Sequence, residues 1–140
     1  MTKSAKNALS AMIGQGWCLA KALKFEDAVK VFNEAQAFAA ANSLSEDEVL
    51  LGKASLYESV DKKQDAIASY TDLIQRFPSS LHVAESYLGR ANTYYALNNY
   101  PSAIADYKKI VELLSINPQY QRTVEKARLG LAWTYLKSGS

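Results

Sequence analysis

The sequence predicts an all-α solenoid, about seven helices folded as antiparallel hairpins and stacked side by side in one domain spanning residues 1–140. Three observations predict it. A small residue precedes an alanine by twelve places three times, at Gly16/Ala28, Ala54/Ala66 and Ala91/Ala103. The small residue itself recurs at 16, 54, 91 and 132, in steps of 38, 37 and 41. Finally, a phrase is written twice: "YLGRANTYYALNNYPSAIADYKKI" from Tyr87 is echoed by "RLGLAWTYLKSGS" from Arg128. Fixed-period self-similarity of this length marks stacked repeats.

The elements follow in order. Helices near 4–22 and 25–42 flank the polar break "KALKFED" and carry Gly16 and Ala28. "SEDE" at Ser45–Glu48 reads as a capping box, with Ser45 as N-cap and Glu48 reaching back, and opens a helix at 46–60. The next helix, 63–76, stops before Pro78, because the residue preceding a proline is disfavoured in the α region. Helices at 80–97 and 100–115 flank "LNNYPS", where Pro101 suits a first helical turn. Pro118 after Asn117 is expected to open the last helix, 118–137, in the same way. The repeats are then 9–42, 46–78, 83–117 and a half-repeat or capping helix at 118–137.

The spacing has a physical reason. A small residue on one helix and an alanine on the next let two backbones approach closely. Residues three or four places away lie one turn along the same face and fill the space beside the contact. Leu19, Tyr57 and Tyr94 follow the small residue by three places, as Tyr135 follows Ala132. Phe32, Tyr70 and Tyr107 follow the alanine by four. A single hairpin cannot bury its apolar face alone, so copies must stack.

Composition narrows the function. Sixteen basic and fourteen acidic residues leave +2 with no basic block, too little to neutralise a nucleic-acid backbone. No apolar run approaches the ~18 residues of a membrane helix, so no membrane insertion is expected. "MTKSAKNALSAMIGQGW" lacks the apolar centre of a signal peptide. The compartment is therefore open: soluble and cytoplasmic for the chain as written, periplasmic for a domain excised from an exported protein. Cys18 is the sole cysteine and, beside Trp17, is expected to pack as a small hydrophobe. No catalysis is expected. His82 is the one histidine and follows a turn. Glu46, Asp47 and Glu48 complement a helix dipole, and Asp61 and Asp65 flank a turn. Gly14-x-Gly16 lies within a helix and is no phosphate loop. No metal or cofactor spacing is present.

These residues resemble the tetratricopeptide repeat, whose signature is a bulky residue, Leu-Gly, Tyr, then Ala-x3-Phe and Pro. The first copy supplies Met12, Gln15, Gly16, Leu19, Ala28 and Phe32, and the second Leu50, Lys53, Ala54, Tyr57, Ala66, Tyr70 and Pro78. The third supplies Tyr87, Arg90, Ala91, Tyr94, Ala103 and Tyr107, and the half-copy Arg128, Leu131, Ala132 and Tyr135. Gln15, Lys53 and Arg90 depart from the family's leucine. The third copy is similar to the longer repeats of bacterial envelope proteins, namely the Tol-Pal-associated periplasmic protein and the outer-membrane assembly lipoprotein. The resemblance implies a right-handed superhelix that acts as a protein-interaction scaffold. Its first helices would line a concave groove for a partner peptide or helix.

Carried over position by position, that groove would hold Ile13, Trp17, Ala20 and Lys21, then Leu51, Ser55, Glu58 and Ser59. It continues with Leu88, Asn92, Tyr95 and Ala96, and ends with Leu129, Trp133, Leu136 and Lys137. An equally open reading places the apolar members in contacts between helices, since apolar stripes at helical spacing are usually core. The family's carboxylate clamp of lysine, asparagine and arginine is mostly replaced here by Ile13, Trp17, Ser55 and Leu88, with Asn92 retained. The fourth copy stops at "YLKSGS". Either it is cut from a longer array, or its bare apolar face mediates homo-oligomerisation.

Overall fold

A computed structural model describes residues 3–139, and these form seven α-helices with no strand among them. Met1, Thr2 and Ser140, the outermost residues of the predicted domain and of the "SGS" turn, lie outside the described residues. The helices are α1 (Lys3–Lys21), α2 (Phe25–Ala41), α3 (Asp47–Ser59), α4 (Lys63–Arg76), α5 (Val83–Ala96), α6 (Tyr100–Leu114) and α7 (Gln121–Ser138). Sequential pairs α1–α2, α3–α4 and α5–α6 pack as hairpins, and α7 packs on α6 and α5.

Each hairpin turns through one left-handed residue: Leu23 (φ 63°), Asp61 (φ 62°) and Asn98 (φ 61°). The following N–H closes the turn onto a carbonyl five residues back, as Lys24 to Leu19 at 2.9 Å, Lys62 to Tyr57 at 2.8 Å and Asn99 to Tyr94 at 2.9 Å. This is the Schellman arrangement, which satisfies carbonyls that the helix end leaves free. Gly139 (φ 78°) occupies the same place after α7.

Three local expectations are corrected. The capping box does not form. Glu46, not Ser45, is the N-cap of α3, and Glu48 donates its N–H to the Asp47 carboxylate at 2.9 Å. Glu46 instead takes hydrogen bonds from Gln36 (3.0 Å) and Arg76 (2.8 Å), which tie α3 to both neighbouring helices. Helix α5 starts at Val83 rather than residue 80. The Ser80 hydroxyl accepts from His82 N–H at 3.0 Å and donates to Asp47 at 2.6 Å, which holds the preceding segment as a turn. Pro118 opens a short 3₁₀ turn, Pro118–Tyr120, before α7 begins.

Small residues mark the helix contacts. Gly16, Ala28, Ala54, Ala66, Ala91 and Ala103 are all buried. Leu19, Tyr57 and Tyr94 pack beside them, each against its own hairpin's cluster. The aromatics Phe32, Tyr70 and Tyr107 do more than fill their own hairpin, because each ring also lies under a glycine of the next first helix. A Cβ at Gly89 would fall 2.3 Å from Tyr70 Cζ, one at Gly130 2.5 Å from Tyr107 Cζ, and one at Gly52 3.0 Å from Phe32. The Leu-Gly of the repeated phrase is thus the seat for the preceding repeat's aromatic. Close packing of this kind leaves no room for a methyl group.

Arg90, which stands where the family has leucine, is satisfied in the interior. Its Nε and Nη2 donate to the Asp106 carboxylate, both at 2.8 Å, and Nη1 donates to Thr71 at 3.0 Å. The bidentate geometry compensates the cost of burying both charges.

Candidate partner-binding surface

The first helices of successive hairpins touch one another, α1 with α3, α3 with α5 and α5 with α7, while no pair of second helices touches to that extent. The first helices therefore form the inner layer of the bend. On this layer the predicted groove residues divide.

Ile13 is not a groove residue. It is 5% exposed and belongs to a cluster with Phe32, Val49 and Leu56, because three places before the small residue a side chain faces the following repeat. Leu51 and Leu88 are half-buried at the same place and pack against the clusters of their own hairpins. Only Leu129 is exposed there, because no described repeat follows α7. Ala132, expected in a hairpin contact, is exposed because no described helix follows α7 to complete its hairpin. Tyr135 turns the other way and stacks under Lys108 of α6. Cys18, expected as a buried hydrophobe, is also exposed. Two places after the small residue, Leu56 and Thr93 are buried against the preceding repeat, and no described repeat precedes Cys18.

The position one after the small residue shows a rule that the sequence reading missed. Each such residue meets the aromatic of its own hairpin. Trp17 lies edge-on to Phe32 with ring centroids 5.5 Å apart. The Tyr70 hydroxyl, whose ionisation burial pushes far up, faces Ser55 and Glu58. The Tyr107 hydroxyl donates to Asn92, and burial together with nearby Tyr95 and Asp106 raises its pKa to about 12. A tyrosine hydroxyl entering the inner layer needs a polar partner; a phenylalanine edge does not. Trp133 is the fourth such residue, and it is exposed without an aromatic partner among the described residues.

The inner layer is consequently apolar at Trp17 and polar between α3 and α5. Glu58, Lys63, Asn92, Thr93 and Ala96 line a cleft of about 240 Å³ there. Thr93 bridges the two helices, with Oγ1 2.5 Å from Glu58 Oε1 and 2.8 Å from the Gly89 carbonyl. Its recurrence as Thr134 in the echoed phrase was the signal for it. Tyr95 is half-buried against Tyr100, and Lys21 is exposed in the last turn of α1. A separate cleft of about 770 Å³, lined by Leu23, Phe25, Val29, Tyr57 and Val60, lies at the turn edge of the first two hairpins.

Ser80, Asp47 and His82 meet at the start of α5 without the geometry of a catalytic triad. Ser80 donates straight to the Asp47 carboxylate, and His82 contributes its backbone N–H, so no imidazole stands between hydroxyl and carboxylate. Among the described residues no group of three or more His, Cys, Asp or Glu could hold a metal, and no helix is long and apolar enough to cross a membrane.

The tetratricopeptide repeat family model matches residues 51–120, half of the 140-residue chain. The chain belongs to the tetratricopeptide repeat family. Its fold is also similar to a solved structure, PcrH from Pseudomonas aeruginosa. The TM-score is 0.75 at 18% identity, over 96% of this chain and 94% of that chain. Comparison with curated protein sequences finds no match. The family match begins inside α3, covers the rest of the second hairpin and the third, and stops before α7. The first hairpin and α7 join the tetratricopeptide array through the recurring glycine, small residue and left-handed turn.

Proposed function

We propose that this chain is a non-catalytic protein-interaction scaffold that seats a partner peptide or helix on the inner face of α1, α3 and α5. The observation that carries the reading is Trp17. The residue is 38% exposed, yet its ring is held edge-on to Phe32 and over Gly52. A large aromatic that is fixed in place but open to solvent is the usual anchor of an interface, because little side-chain entropy is lost on binding. Beside it, Ser55, Glu58, Asn92 and Tyr95 supply polar partners for a ligand's backbone or side chains. The preferred ligand is apolar at one end and rich in hydrogen-bonding groups along the rest.

The test is to select 16-residue peptides on the immobilised chain and titrate the winners by fluorescence anisotropy. Trp17→Ala is expected to weaken binding by more than about tenfold, with unchanged helicity by circular dichroism. Equal affinity for wild type and variant removes the groove. A second reading, self-association through α7, is favoured by the exposure of Leu129, Trp133 and Leu136. Sedimentation showing a strict monomer at high concentration removes that one.

A further inference from the structure

The position one place before the small residue is cationic in the second and third hairpins, and the two cations are matched differently. In the third hairpin Arg90 meets Asp106, three places after Ala103, and the two side chains are only 16% and 8% exposed. In the second hairpin the same two positions hold Lys53 and Ser69. Both are shorter than their counterparts, and the carboxylate is missing. An outer cleft of about 490 Å³ lies there, lined by Gln36 of α2, Lys53 of α3, and Ser69, Thr71 and Asp72 of α4.

The polar groups of this cleft are incompletely matched. Lys53 is half-buried, and burial lowers its pKa although Asp72 and Glu46 act to raise it. One of its three N–H groups donates to Gln36 Oε1 at 3.0 Å. Neither acid forms an ion pair with it, because Arg76 holds Glu46 at 2.8 Å and Asp72 at 3.3 Å. Ser69 is 8% exposed, and its hydroxyl has no hydrogen bond among the described residues. A polar side chain buried to that degree ordinarily has a partner. Thr71 accepts from Arg90 at 3.0 Å, which leaves its own O–H to donate. An ammonium and two hydroxyls thus turn donors to one cleft, a set that calls for a negatively charged acceptor. Asp72 on the wall opposes a second charge on the ligand, so a monoanion fits better than a phosphate dianion.

We propose that this outer cleft binds a carboxylate group between Lys53 and Ser69, in the place that Asp106 takes beside Arg90. Its source is a partner's Asp or Glu side chain or a small organic acid, and the chemistry recognised is the same. The site lies among the second helices, away from the inner layer, and does not depend on ligand binding at the concave face.

The test is an NMR titration of the isotope-labelled full chain with sodium propionate and, in parallel, with N-acetyl-aspartate N-methylamide, whose one carboxylate is the side chain's. Ionic strength is held constant with sodium chloride. Saturable shifts of the Lys53, Ser69 and Thr71 amides are expected, with a Kd on the order of 1–10 mM for propionate and weaker binding of phosphate. A response to the blocked aspartate assigns the site to a protein side chain, and a response to propionate alone assigns it to a free acid. Lys53→Met should weaken binding about tenfold or more. Ser69→Asp should abolish it by supplying the carboxylate in cis, and should raise the midpoint of thermal unfolding in the wild type but not alongside Lys53→Met. Absence of saturable shifts in the wild type up to about 50 mM propionate overturns the proposal without recourse to any variant. So does tighter binding of phosphate than of propionate, which would make the cleft a general anion site. A Ser69→Asp midpoint that is indifferent to Lys53 likewise overturns it.

Discussion

The end helices α1 and α7 share a register of glycine, small residue and tryptophan, yet they leave opposite sides bare. In α1 the uncovered positions are those that face a preceding repeat, Gly14 and Cys18. In α7 they are those that face a second helix or a following repeat, Leu129, Ala132 and Leu136. The first side is built of small groups, and nothing lies within 4 Å of a Cβ placed at Gly14. The second is a stripe of large apolar side chains. Each first helix therefore carries two codes, one read by the repeat before it and one by the repeat after it. Among the described helices, only the interior ones have both read.

Breaking the preceding-repeat code should have large effects inside the array and almost none at α1. Leu56, 1% exposed, and Cys18 occupy the same register. Leu56→Ala is expected to cost about 2–5 kcal/mol in denaturant unfolding through the cavity it leaves. Cys18→Ala should stay within about 0.5 kcal/mol, as surface changes usually do. The glycines sharpen the contrast by reversing its sign. Gly89→Ala drives a methyl into the Tyr70 ring and should destabilise by about 1–3 kcal/mol. Gly14→Ala, in open space within a helix, should stabilise by up to about 1 kcal/mol. Equal effects at Gly14 and Gly89 would break the two-code description.

A further, smaller contrast concerns the joint between hairpins. Burial opposes ionisation of Glu46, but hydrogen bonds from Arg76 and Gln36 outweigh it and hold its carboxyl below the ordinary value of 4.5. A folded pKa below the unfolded one adds stability above the unfolded value, and that stability fades as pH falls through the folded one. Glu46→Gln should therefore cost about 1 kcal/mol at neutral pH, with the difference shrinking as pH falls below 4.5. A cost that does not change with pH would assign the effect to shape instead of charge.

Much of this was legible in the chain. The steps of 38, 37 and 41 located every hairpin, since a buried backbone contact tolerates only small residues and must recur wherever the contact does. Pro78 and Pro101 fall where the geometry puts them, one past the end of α4 and one in the first turn of α6. The capping box was misread because Glu46 and Asp47 have better partners in Arg76 and Ser80, some thirty residues away. The groove stripe stayed open between two readings for a related reason. Ile13, Leu51 and Leu88 share one apolar pattern with Leu129, and the pattern cannot say whether another helix lies above it.

Sequence alone determined the helices, their pairing into hairpins and the repeat family, because these depend on local propensity and on a spacing written in residue types. Tertiary structure decided which face of each first helix is covered, which charges are paired and which tryptophan has a partner. Those outcomes depend on what packs against a residue from a distant part of the chain. Trp17 and Trp133 have the same place in the repeat, and only the helix beside each one makes them different.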